Sequence, residues 1–284
     1  MKTSITSNTP IEDNTMIKQT YGITKIPFLQ SELSLLPQQQ EIADIANIHS
    51  QHGGLCVITG DPGVGKTVIK LELERQSKSK DHHVISFSRT MDTYNKIILQ
   101  IAESLELEQS QRKIESEILS RVHELARNNK SIVTIIDEAH LLDLESLRKL
   151  RLLFDKFPRR HNLILMGQPD LLVRLSLKNY EDIRSRITFS QQLKPLNDED
   201  MFKFIQRETE SVRLPKQTFE EAALEVIIKA VQGNLRLCAN LCYGSLLEAC
   251  RCRERIVDHT HVNAILIQPH WRSHDDLITG GIHK

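Results

Sequence analysis

Short, fully apolar runs alternate with amphipathic stretches along this chain. Residues 55–59 (Leu-Cys-Val-Ile-Thr) are apolar almost throughout and end in a Gly-rich turn. That pattern predicts a strand buried on both faces, as in a parallel sheet. Residues 83–88, 131–136, 162–167 and 187–190 predict four more strands, the last of them short. The intervening segments carry the helical period. Residues 34–50 place Ile42, Ile45 and Ile48 on one face, and residues 67–76, 94–105 and 115–128 also read as helices. Asp143 is a candidate cap for a helix with apolar positions Leu147, Leu150, Phe154 and Phe157.

Strands alternating with helices predict an α/β domain, a central parallel sheet flanked by helices. After Pro195 the strand signals stop, and residues 198–211, 218–232, 235–251 and 259–267 read as helices. The predicted organisation is a flexible N-terminal arm (1–19), an α/β domain (20–195), a small all-helical lid (196–268) and a C-terminal tail (269–284). Residues 21–28 form an apolar segment broken by Gly22 and Pro27, which predicts packing without a long element.

The turn after the first strand carries the chemistry. Gly60-Asp61-Pro62-Gly63-Val64-Gly65-Lys66-Thr67 matches the eight-residue phosphate-loop pattern at every fixed position, and Val68 continues into the helix. Gly63 and Gly65 allow the backbone to approach phosphate oxygens closely. Successive N–H groups at a helix N-terminus favour an anion there. Lys66 supplies the charge for β- and γ-oxygens, and Thr67 a hydroxyl for Mg2+. The run ending at Ile136 delivers Asp137 and Glu138 to the carboxyl edge of the sheet. Asp137 is a candidate Mg2+ ligand through water, and Glu138 a candidate for polarising the attacking water. Ala139 and His140 complete an Asp-Glu-Ala-His tetrad also found in a helicase class. The further helicase motifs are absent and 284 residues are too few for two helicase lobes, so the helicase reading is set aside.

These features resemble the AAA+ superfamily, and most closely the ExeA/TniB/TnsC/MuB group of bacterial ATPases. The resemblance spans about residues 20–270. It rests on residues 21–28, the phosphate loop, Asp137-Glu138-Ala139-His140, Leu165-Met166-Gly167-Gln168-Pro169, Arg184-Ser185-Arg186-Ile187 and Gly233-Asn234-Leu235-Arg236. It implies an AAA+ P-loop NTPase that binds ATP and Mg2+. It also implies a sensor role for Gln168 at the end of the fourth strand, an arginine finger at Arg184 or Arg186 with Arg186 slightly favoured, and a second, lid-borne sensor at Arg236. A finger acting on a neighbouring subunit implies an ATP-dependent homo-oligomer, either a ring or a helical filament.

Composition narrows the partners. Lys+Arg and Asp+Glu both number 37, so any basic surface is local. Candidate DNA contacts are Arg89, Thr90, Lys96, Arg148, Lys149 and Arg151, with Lys156, Arg159 and Arg160 nearby in sequence and a second basic patch, Arg251, Arg253 and Arg255, at the end of a lid helix. Within the resembled group, one branch controls DNA transposition, coating duplex DNA, selecting the target and recruiting a transposase. The other serves secretion or pilus assembly, usually with a membrane segment and a wall-binding domain. No run here approaches the ~20 apolar residues needed to span a bilayer. The expectation is therefore a cytoplasmic transposition regulator. Its partners would be non-specific double-stranded DNA, a transposase and a target-selection protein, with no membrane. An ExeA-like secretion ATPase is the alternative. The five cysteines lie in no zinc-like spacing and read as reduced thiols.

Overall fold

The computed structural model of the chain describes residues 10–29, 35–76, 82–87, 93–107 and 113–271. Their elements, in order, are α1 (Pro10–Tyr21), α2 (Pro37–His52), β1 (Gly54–Gly60), α3 (Lys66–Gln76), β2 (His82–Ser86), α4 (Tyr94–Ser104), α5 (Ile114–Arg127), β3 (Ser131–Ile136), α6 (Leu144–Phe154), β4 (His161–Gly167), α7 (Asp170–Ser176), α8 (Glu181–Arg184), β5 (Ile187–Leu193), α9 (Asp198–Ser211), α10 (Glu221–Val231), α11 (Leu235–Arg251) and α12 (His259–Leu266). The chain divides into two compact units. One is Leu33–Lys194, and the other joins Met1–Glu32 to Pro195–Lys284.

The first unit is the α/β domain. Its five strands are all parallel, in the order β2-β3-β4-β1-β5. Strand alternation sends successive residues to opposite faces, and two hydrophobic clusters result. Leu55 and Val57 of β1, Ile132 and Ile136 of β3, and Leu163 and Leu165 of β4 pack with α4 to α8 residues such as Ile97, Ile118, Leu150 and Ile183. Cys56, Ile58, Val133, Ile135, Ile164 and Met166 pack instead with Ile42, Ala46, Ile69 and Leu73 of α2 and α3. Buried Asn162 ties three elements together at the start of β4. Its Nδ2 donates to the Ala46 carbonyl at 3.1 Å, and its Oδ1 accepts from Cys56 Sγ at 3.3 Å.

The second unit is helical. Gly233, at φ +80°, lies where an added Cβ would meet the Leu196 carbonyl at 2.3 Å. Asn234 then caps α11 by accepting from the Leu237 N–H at 3.0 Å.

Several sequence expectations need correction. The arm of residues 1–19 is helical from Pro10, with residues 1–9 outside the described set. α1 packs on α11: Ile17 is fully buried, Tyr243 donates to Asn14 at 3.1 Å, and Arg251 pairs with Asp13 at 3.4 Å. Buried Ile17 and polar side-chain contacts hold it, and the sequence there carries no clear amphipathic stripe. Described residues 20–29 belong with the helical unit rather than with the α/β domain. Phe28, for example, meets Phe219 edge-on at 6.5 Å. The short helices α7 and α8 are additional to those expected, and β5 runs on to Leu193. Phe157 lies beyond the end of α6, yet it is buried against the ring of His161 at 4.8 Å. Of the tail, only Pro269–Trp271 is described.

His161 yields a stability prediction. Its ring stacks on Phe154 at 4.8 Å and 3°, and burial pushes its pKa down to about 3. An unfolded histidine titrates near ~6.5. Between those values the unfolded chain binds a proton that the folded chain excludes, so this stability is complete above ~6.5 and falls as pH drops toward 3. His161→Phe should therefore flatten the loss of stability between about pH 6 and pH 4, by several kcal/mol at the lower end. Urea melts across that range check this; parallel pH profiles for the two proteins would rule it out.

Candidate nucleotide site

The site forms because neighbouring parallel strands end on the same edge. Thr59 of β1 is in register with Gly167 of β4, and Leu165 of β4 with Ile136 of β3. Gln168, one residue past β4, therefore stands between the loop that follows β1 and the acids that follow β3.

The loop has the conformation that its glycines permit. Gly63 and Gly65 adopt φ of +88° and +104°, values that strain a side-chain-bearing residue. An added Cβ at Gly60 would lie 2.8 Å from Val64 Cγ2 and 3.1 Å from Leu193 Cβ, so the loop base packs without space for one. Lys66 is 7% exposed, and its Nζ donates to the carbonyls of Gly60 at 2.6 Å and Asp61 at 3.0 Å. Asp61, Pro62 and Thr67 are exposed, and Val68 is half-buried in the first turn of α3. A nearly buried ammonium, a helix N-terminus and an exposed Thr67 hydroxyl together fit a triphosphate with its Mg2+.

Asp137 and Glu138 follow β3 immediately, and both are half-buried. Glu138 is in the left-handed region, φ 54° and ψ 32°. A non-Gly residue there is strained by about 1–2 kcal/mol. Asp137 Oδ1 offsets this by accepting the Glu138 N–H at 2.9 Å. The carboxylate of Glu138 reaches His140, with Oε2 at 3.3 Å from Nδ1. The Gln168 N–H donates to the same Nδ1 at 3.5 Å, and Arg174 of α7 donates to the His140 carbonyl at 2.6 Å. His140 and Arg174 were not among the expected site residues. His140 was present in the Asp-Glu-Ala-His tetrad that carries the resemblance, but no motif gave it a role of its own. Arg174 had no motif to mark it.

The remaining candidates are dispersed. Arg184 and Arg186 are both exposed. Arg184 donates to the Ser176 carbonyl at 2.9 Å, whereas Arg186 pairs with Asp155 at 3.7 Å. Arg236 is exposed at the second position of α11 in the helical unit. Arg148 and Arg151 of α6 both engage Asp182, at 3.4 and 3.8 Å, and Arg151 also engages Asp155 at 3.4 Å. Lys149 pairs with Glu145 at 2.6 Å, and Lys96 is exposed on α4. Arg89 and Thr90 lie outside the described residues. Among the described residues, no helix is long and apolar enough to cross a membrane.

A family profile described as an AAA domain matches residues 48–175. General secretion pathway protein A of Aeromonas hydrophila is 24% identical over 247 residues, which cover 82% of this chain and 45% of that protein. The chain thus spans less than half the length of that relative. Among solved structures, Cdc6p from Pyrobaculum aerophilum superposes with a TM-score of 0.64 at 20% identity, over 81% of this chain and 67% of that one. Drosophila ORC bound to DNA superposes with a TM-score of 0.66 at 18% identity, over 100% of this chain and 72% of that one. The parallel sheet, the phosphate loop and the helical C-terminal region together give this chain the AAA+ P-loop NTPase fold.

Proposed function

We propose that this chain binds and hydrolyses ATP with Mg2+ to control its own assembly on double-stranded DNA, as a cytoplasmic transposition regulator that selects target DNA and engages a transposase. The observation that carries the ATPase half is the shared strand edge, where Lys66, Thr67, Asp137, Glu138 and Gln168 follow three adjacent strands. Lys66 binds the β- and γ-oxygens, Thr67 and Asp137 hold the metal, and Glu138 takes up the proton of the attacking water. Mg2+, when bound, supplies charge neutralisation for the transferred phosphoryl group. Gln168 orients the terminal phosphate. Arg184 and Arg186, both exposed, are the candidates for reaching the nucleotide of a second copy, and Arg236 on the helical unit is the candidate second sensor of the γ-phosphate.

The DNA half is supported by the likeness to an ORC structure that has DNA bound and by the arginines of α6. The second reading, an ATPase of a secretion system that acts on protein, is favoured by the match to General secretion pathway protein A. A transposase and a target-selection protein are the partners of the first reading only.

Three outcomes test this. Lys66→Ala should weaken ATP binding by roughly 100-fold or more, because charge-assisted bonds to phosphate are lost; calorimetry reads it directly. Glu138→Gln should still bind ATP while kcat falls on the order of 100-fold; full turnover in that variant would remove Glu138 from its assigned role. With a non-hydrolysable ATP analogue, duplex DNA of arbitrary sequence should shift in a native gel at low salt and be released as salt rises. No shift at low salt would leave the secretion reading in place.

A further inference from the structure

His140 stands where two demands meet on one atom. The Glu138 carboxylate lies 3.3 Å from its Nδ1, and the Gln168 N–H points at the same Nδ1 from 3.5 Å. A carboxylate can only accept a hydrogen bond, so holding it requires Nδ1–H. An amide N–H can only donate, so holding it requires the Nδ1 lone pair. One ring nitrogen cannot satisfy both at once. We propose that His140 is the positioning residue for Glu138: its Nδ1 holds the Glu138 carboxylate when it carries the proton and the Gln168 backbone N–H when it does not, so the two compete for one atom. This rests on the reading of Glu138 as the group that polarises water.

The surroundings make the competition consequential. His140 sits in a 3₁₀ turn, Ala139–Leu141, directly after the left-handed Glu138. Its side chain is 10% exposed, whereas that of Glu138 is 39% exposed. The ring is therefore the fixed partner and the carboxylate the movable one. Arg174 anchors the turn through the His140 carbonyl at 2.6 Å. On the other side, a Cβ at Gly167 would lie 3.1 Å from the His140 backbone nitrogen and 3.4 Å from its Cβ. The turn and the end of β4 thus pack closely at Gly167, with Leu171 Cδ2 alongside at 3.2 Å from that same Cβ, and a displacement of either is felt by the other. Gln168, the residue assigned to the terminal phosphate, is the next residue along that strand. A shift at Gln168 that withdraws its N–H favours Nδ1–H and the grip on Glu138. A return of that N–H favours the lone pair and releases the carboxylate.

The experiment has a spectroscopic arm and a kinetic arm, both on the full chain. Ring ¹⁵N shifts of histidine-labelled protein, with the His140 signal assigned by its loss in His140→Asn, report which nitrogen carries the proton. The expected result is the Nδ1–H form in the wild type, moving to the Nε2–H form in Glu138→Ala, where only the Gln168 backbone N–H remains to be held. The same tautomer in both proteins overturns the proposal. In the kinetic arm, His140→Ala should lower kcat for ATP about tenfold with KM nearly unchanged, since a misplaced group costs rate rather than binding. His140→Asn, whose amide can donate to Glu138 from a neighbouring position, should restore most of that loss. Equal kcat in wild type and His140→Ala, or a change confined to KM, overturns the proposal as well. A wild type that hydrolyses no ATP refutes the ATPase reading instead, and the tautomer measurement still decides the role of His140.

Discussion

The arrangement depends on one constraint, the parallel register that sets β4 between β1 and β3. Parallel strands end on the same edge, so loops distant in sequence converge there without any loop needing a special length. β4 carries the main burden, because it pairs with both neighbours over most of its seven residues and is buried along its whole length. Asn162 shows how the register is fixed from inside. A buried amide that bonds to both α2 and β1 cannot slip by one residue without leaving its polar atoms unsatisfied.

Much of this was legible beforehand. A strand buried on both faces needs apolar side chains on both, so the five runs stood out, and all five strands are present. The phosphate loop is legible for a related reason: its dihedrals tolerate few residue types, which makes the physical requirement visible as a motif. Elements held by tertiary contact were harder to see. α7 spans Asp170–Ser176 and α8 only four residues, Glu181–Arg184. Such pieces are stable only through buried Leu171, Leu175 and Ile183, and short segments carry little periodic signal. α1 follows the same logic, with its partners more than two hundred residues away in sequence.

Within the site, sequence located the groups but not their couplings. Asp137 was expected as a metal ligand, and it also bonds the N–H of Glu138 and so supports that residue in the left-handed region. The strain at Glu138 and the strand edge are linked, since the chain must turn sharply after Ile136 to bring both carboxylates to one place. A turn of this kind leaves the Glu138 side chain with few local restraints, and His140 supplies one.

The arginines show why charge in sequence differs from charge in space. Arg148, Arg151 and Arg186 share the two carboxylates Asp155 and Asp182, three positive charges against two negative ones. The cluster thus joins residues expected to face DNA with a residue expected to act as a finger. Its pairs are partly exposed and long, between 3.4 and 3.8 Å, and such pairs contribute only about 0–1 kcal/mol each. A phosphate presented to Arg148 or Arg151 can therefore replace Asp182 or Asp155 at little cost. Each carboxylate set free in this way becomes available to the remaining arginine. On the proposed DNA reading, phosphate contact at Arg148 or Arg151 and the pairing of Arg186 with Asp155 draw on the same two acids.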